Sequence, residues 1–212
     1  MPRVSLEIAP EARLVLALPD AAREEPAERL PPMALPPIAG ARVTALRGWV
    51  ADGGLRLRAA CVRAPSDRWA PGVEDIVLDR ATALARGGLD AELERFAGGD
   101  ILQSGDRFEQ RLDGSGPAVS AVGRHVLGFV GSDRDVFVCT WVCLEPERGD
   151  RCAALVDAAE PAGTFTGAPA PSLTTRAILA AAEHPTGAAI AAAVLAIGAV
   201  TLVLARRPRP RR

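Results

Sequence analysis

Short stretches of alternating apolar and polar residues fill most of this chain, and one unbroken apolar stretch follows them near the end. Residues 4–8 and 13–18 alternate around Pro10-Glu11 and read as two short strands. Prolines 19, 26, 31, 32, 36 and 37 then exclude regular structure, so 19–41 reads as a linker. Residues 42–50 and 55–63 form the best hairpin, because Asp52-Gly53-Gly54 supplies the positive φ that a tight turn needs. In its second strand Leu55, Leu57, Ala59 and Cys61 face one way and Arg56 and Arg58 the other.

After Pro71-Gly72 the period lengthens. Val77, Ala81 and Leu84 make a helical stripe, with Glu74 and Asp75 suited to its positive end and Arg86 to its negative end. Leu89, Leu93 and Phe96 repeat at helical spacing in a second segment, which Gly98-Gly99 ends. Alternation returns in 107–112, 119–130 and 136–144. The last of these strands is apolar on both faces and is expected to be central. Residues 152–159 resemble a short helix, 160–172 a linker, and Ser172 can N-cap a juxtamembrane helix over 173–184. The expected organisation is N-terminal strands (1–18), linker (19–41), a globular domain (42–159), linker, helix, span and tail. The fold class is α+β with mostly antiparallel pairing: a hairpin, helices, a three-strand meander and a helix.

The closing apolar stretch, 187–205, holds 19 residues without a charge and would rise about 28 Å as a helix, close to a hydrocarbon core of about 30 Å. It reads as one C-terminal transmembrane helix. Its first half is rich in alanine, which suits close approach between two copies of the anchor. Arg206, Arg207, Arg209, Arg211 and Arg212 follow it and suit contact with anionic lipid headgroups. Orientation is contested between two arguments. The arginine tail favours the cytoplasmic side, which puts the domain outside. Yet Arg3, Glu7, Glu11 and Arg13 interrupt any apolar leader in residues 1–20, which favours a cytoplasmic domain and a tail anchor in a bacterial inner membrane. The second placement is the one expected from sequence.

Charge changes the picture locally. All 25 basic residues are arginine, as in a GC-rich bacterial coding bias. Five of them lie in the tail, so residues 1–205 hold 20 against 26 acids, a balance of −6 that argues against nucleic-acid binding. Within 42–68, however, Arg42, Arg47, Arg56, Arg58, Arg63 and Arg68 face only Asp52 and Asp67. With Trp49 and Trp69 as contact anchors, they form a candidate patch for an acidic protein partner or anionic lipid.

No dinucleotide, Walker-type or GxSxG motif is present, and no cofactor, metal or catalytic residue is expected. His125 shares a strand face with Leu127 and Phe129 and reads as a core or rim residue. Cys139 and Cys143 lie about 13 Å apart along one strand, too far for a mutual bridge. Cys143 with Cys152, or Cys61 with either, remains open if the domain is exported; in the cytoplasm all would be reduced.

Trp69-Ala70-Pro71 before the helices, Gly123-Arg124-His125 leading into residues 136–143, and Cys152 opening the last helix together resemble the PsbP family, over residues 42–167. That resemblance implies an α+β fold used for binding or assembly. The function expected is therefore a membrane-tethered, non-catalytic binding or assembly module. The alternative is a thiol-dependent enzyme or redox sensor built on Cys139, Cys143 or Cys152.

Overall fold

The computed structural model describes residues 1–26, 40–66, 69–70, 72–87, 89, 93–146 and 150–170. The expected juxtamembrane helix, the span 187–205 and the arginine tail lie outside the described residues, as do Arg68 and residues 27–39. Among the described residues no helix is long and apolar enough to cross a membrane.

The fold is α+β with antiparallel sheets. Two strands open the chain, β1 (Arg3–Ala9) and β2 (Ala12–Ala17), followed by a two-residue β3 (Arg23–Glu24). The hairpin of β4 (Arg42–Ala51) and β5 (Leu55–Ala64) turns through Asp52–Gly54, where Gly53 and Gly54 both have φ of +74°. Helix α1 (Val73–Gly87) precedes a four-strand meander: β6 (Arg95–Ser104), β7 (Arg107–Ser115), β8 (Val119–Val130) and β9 (Asp135–Pro146). Helix α2 (Arg151–Asp157) and β10 (Glu160–Gly163) complete it.

Seven strands form one sheet in the order β3-β4-β5-β9-β8-β7-β6, and three form another, β1-β2-β10. Strand β9 is central, as its two-faced apolar pattern requires, and ten consecutive residues of it are buried. Its odd-numbered side chains Phe137, Cys139, Trp141 and Cys143 face the small sheet and α2, in one core with Leu6, Ile8, Leu14, Leu16 and Leu155. Val136 and Val138 on the other face pack with Leu78 of α1, Trp69, Leu127 and Phe129.

Four expectations are corrected. The stretch 19–41, expected to be a linker without regular structure, holds β3, whose Arg23 and Glu24 pair with Val50 and Trp49 of β4. Phe96 does not continue a helix: it lies in β6, paired with Gly114. Leu89, Leu93 and Phe96 do share a core cluster, and the Leu93 N–H donates to the Leu89 carbonyl at 3.3 Å, so the helical spacing holds for the first two and ends before the strand that carries Phe96. Gly98-Gly99 does not stop the element either, because the ladder shifts register between Gly98 and Ile101 and takes up the glycines as a bulge. At Gly98 a Cβ would lie 2.3 Å from Gln110 Nε2, which crosses the glycine to donate to the Gly99 carbonyl at 3.0 Å, so a side chain there would displace the Gln110 amide. The linker expected from 160 begins instead with β10, whose Glu160–Gly163 pairs with Ala12–Val15 of β2. Finally, the N-terminal strands are not separate from the 42–159 domain, since their apolar faces fill the same core and residues 1–170 form one compact unit.

Candidate functional site

The candidate arginine patch is not brought together on one surface. Arg47 sits opposite Ala59, on the face turned to the small sheet, and forms an ion pair with Glu24 of β3. Arg63 is on that same face, at the far end of β5, with its Nε 2.8 Å from Asp135 Oδ2; the two side chains are only 16% and 21% exposed. Arg42 stands opposite Arg63. Arg56 and Arg58 are half-buried and pair in register with Leu144 and Val142, which puts them on the opposite face of the sheet. Trp49 and Trp69 are 4% and 5% exposed and belong to two different core clusters. Trp69 packs edge-on to Phe129 at 4.8 Å. Their places flanking the arginine patch in sequence suggested contact anchors, but their rings are buried in the core. Trp141 is fully buried and donates its indole N–H to the Val156 carbonyl at 3.2 Å.

All four cysteines are bridged. Cys61 and Cys139 are register partners on β5 and β9 with Cα atoms 4.1 Å apart, and their sulfurs are bonded. Cys143 of β9 is bonded to Cys152 in the first turn of α2, with Cα atoms 5.3 Å apart. No free thiol remains, so neither Cys139, Cys143 nor Cys152 is a thiolate nucleophile in this state. Glu145, 3% exposed, accepts the Cys152 N–H on Oε2 at 3.3 Å, while its Oε1 has no partner.

His125 is fully buried under α1. Its Nδ1 lies 2.7 Å from Thr140 Oγ1 and its Nε2 3.0 Å from Thr82 Oγ1. Thr82 donates to the Leu78 carbonyl at 3.0 Å, so its one hydroxyl proton is used there. Nε2–H must then donate to Thr82, and Nδ1 accepts from Thr140. Burial pushes the imidazole pKa down from 6.5 to about 3, so the ring is neutral and its nitrogens are occupied. This is a structural tie between helix and sheet. Neither Thr82 nor Gln110, which lies 3.4 Å from the Thr82 hydroxyl, stood out in the sequence, because a lone polar residue on an apolar face carries no periodic signal.

Grooves open on the surface of the described residues. One of about 780 Å³ opens between β1 and the β3–β4 edge, with Ser5, Glu7, Glu24, Glu25, Thr44 and Arg47 on its walls. Another, of about 510 Å³, lies among Glu11, Arg63, Asp133 and Thr166. Carboxylates and a guanidinium line each of the two, so their walls are charged. The carboxylates of the first groove were missed in the sequence because they come from two segments, at 7 and at 24–25, that lie 17 positions apart.

No family model and no curated protein matches the chain. Among solved structures it shares a related α+β fold with LpqN, a protein involved in cell envelope biogenesis of Mycobacterium tuberculosis. The TM-score is 0.41 at 17% identity, covering 78% of this chain and 91% of that one. A point mutant of the protein Mog1 aligns with a TM-score of 0.35 at 11% identity, over 72% of this chain and 82% of that one. Likenesses this distant do not bear on what the chain does.

Proposed function

We propose that this chain is a membrane-tethered binding or assembly module whose body lies on the exported, oxidising side of the membrane. The observation that carries the reading is the pairing of all four cysteines in two buried bridges. Such bridges persist outside the cytoplasm and are rare within it. The tether is the apolar segment 187–205, and the five arginines beyond it favour the cytoplasmic side. Bridges and tail therefore favour one orientation, with the body out and the tail against inner-leaflet headgroups. The cytoplasmic placement expected from the interrupted leader weighs less than two stapled cysteine pairs.

A binding role is supported by where the chemistry-bearing groups have gone. The buried His125 is neutral with both nitrogens engaged, and the thiols that the redox-enzyme alternative requires are consumed in bridges. The resemblance of the sequence to the PsbP family leans the same way, as that family serves binding and assembly.

Membranes from cells producing the full chain test the reading. The chain should stay in the pellet after an alkaline wash, and a maleimide should label it only after reduction of denatured protein. Protease added outside spheroplasts should remove the body. Release into the supernatant, or thiols labelled without reduction, would overturn the proposal.

A further inference from the structure

The two faces of the large sheet are covered unequally. One face carries the small sheet, α2 and both cysteine bridges in one core. On the other face lies α1, and of its 15 residues Val77, Leu78 and Ala81 are the buried ones. They cover Leu127 and Phe129 of β8 and Val136 and Val138 of β9. An element that buries few side chains opens at a lower free energy than the core it lies on. Helix α1 can therefore leave its face while the bridged layer stays folded.

The middle of α1 is held by polar groups. Gln110 of β7, His125 of β8 and Thr140 of β9 stand side by side in register, and Thr82 comes down on this row from the helix. Each ring nitrogen and hydroxyl proton of the row has its place only while the imidazole is neutral. A second ring proton would sit on Nδ1, against the proton that Thr140 directs there. Among the described residues no carboxylate is buried beside the ring to balance that charge. Arg56 and Arg58 of β5, on the same face, are cations. Asp75, Asp79 and Arg86, on the Thr82 side of α1, are exposed, as is Asp100 in the β6 bulge. Glu109, Arg111 and Arg124 are turned to the opposite face, where the buried Glu145 accepts from Cys152. We infer that α1 is an acid-released cover: a proton taken from solvent by His125 breaks the hold of Thr82, and α1 lifts as a unit to bare Leu127, Phe129, Val136 and Val138 while the bridged layer stays in place. The inference goes beyond the tethered binding role and does not depend on it.

Opening and proton uptake are linked. The covered ring titrates at about 3 and the bared ring at its ordinary 6.5, so the opening equilibrium is level above pH 6.5 and rises below it. The rise is about 16-fold from pH 6.5 to 5 and about 140-fold from pH 6.5 to 4. Amide exchange of the detergent-solubilised full chain, read by mass spectrometry on peptic fragments and corrected for the intrinsic rate at each pH, tests this. Protection over 73–87 should fall by those factors, and protection over β5 and β9 should hold. His125→Gln removes the titrating group, so its protection over 73–87 should be level across the same range. Where that variant does not fold, the fall by pH 5 in the natural chain decides, because ordinary carboxylates titrate near pH 4. The proposal is overturned if protection over 73–87 falls less than about fivefold by pH 5, if α1 and β9 lose protection together, or if the glutamine variant repeats the fall.

Discussion

The hydroxyls of Thr82 and Thr140 hold the one described histidine in a fully buried position, and this arrangement has a pH consequence. The folded pKa of His125 is about 3, below the ordinary value of 6.5 that applies to the unfolded chain. Between those values only the unfolded chain takes up the proton. Stability from this group is therefore whole above pH 6.5 and falls as pH drops toward 3, by up to about 1.4 kcal/mol per pH unit. Imidazole carbon shifts should show His125 neutral down to pH 4, and a ring titrating near pH 6 would contradict the buried geometry. Thr82→Val would leave Nε2–H unpaired in the core and should cost about 1–3 kcal/mol by urea denaturation. Gly98→Ala tests the neighbouring contact. Its methyl would displace Gln110 from Gly99, so the Gly99 carbonyl loses its donor, and thermal unfolding should shift downward while β6–β7 pairing survives.

At the level of elements, the bridges divide the work by loop length. Cys61–Cys139 closes a sequence separation of 78 and Cys143–Cys152 one of 9. In the chain-entropy account the longer closure contributes about 4.5 kcal/mol and the shorter about 2.7. Cys61→Ala/Cys139→Ala should therefore lower the denaturation midpoint more than Cys143→Ala/Cys152→Ala, and the reverse order would show that fixing α2 on β9 matters more than constraining the unfolded chain. The elements themselves were unevenly legible. Strands β1, β2, β4, β5 and β8 follow from period-two alternation, and α1 from its stripe and terminal charges, because each buries one defined face, while β9 follows from an unbroken apolar run that is buried on both faces. Strand β6 escaped because its only buried residue is Phe96 and its glycines fill a bulge that reads as a helix stop. Strand β10 escaped because Glu160-Pro161-Ala162-Gly163 has the composition of a linker, and only the waiting edge of β2 makes it a strand. The arginine patch looked continuous in sequence, yet strand alternation sends Arg47 and Arg56 to opposite faces.

For the whole molecule, the covering of the central sheet decides which pieces can fold. The sequence suggested that 42–159 is the globular domain with short strands appended. The core contradicts this, because Leu6, Ile8, Leu14 and Leu16 are at most 3% exposed and lie against the same side chains that surround the bridges. Burying one such side chain is worth about 1.5–3 kcal/mol, and a whole domain is stable by only about 5–15. Removing β1 and β2 deletes four of them and bares the face of β9 that carries Phe137 and Trp141. It also strips β10 of its only described partner. A chain ending after Ala170 should therefore be monomeric and stable, with both bridges formed and a single cooperative unfolding transition. A chain restricted to 42–159 should bind a hydrophobic dye such as ANS and lack a sharp transition, even with its four cysteines present. Cooperative unfolding of 42–159 at the midpoint of 1–170 would mean that the small sheet is an ornament on the body; its loss would show that the second layer is what makes a seven-stranded sheet with one helix on its other face a stable body.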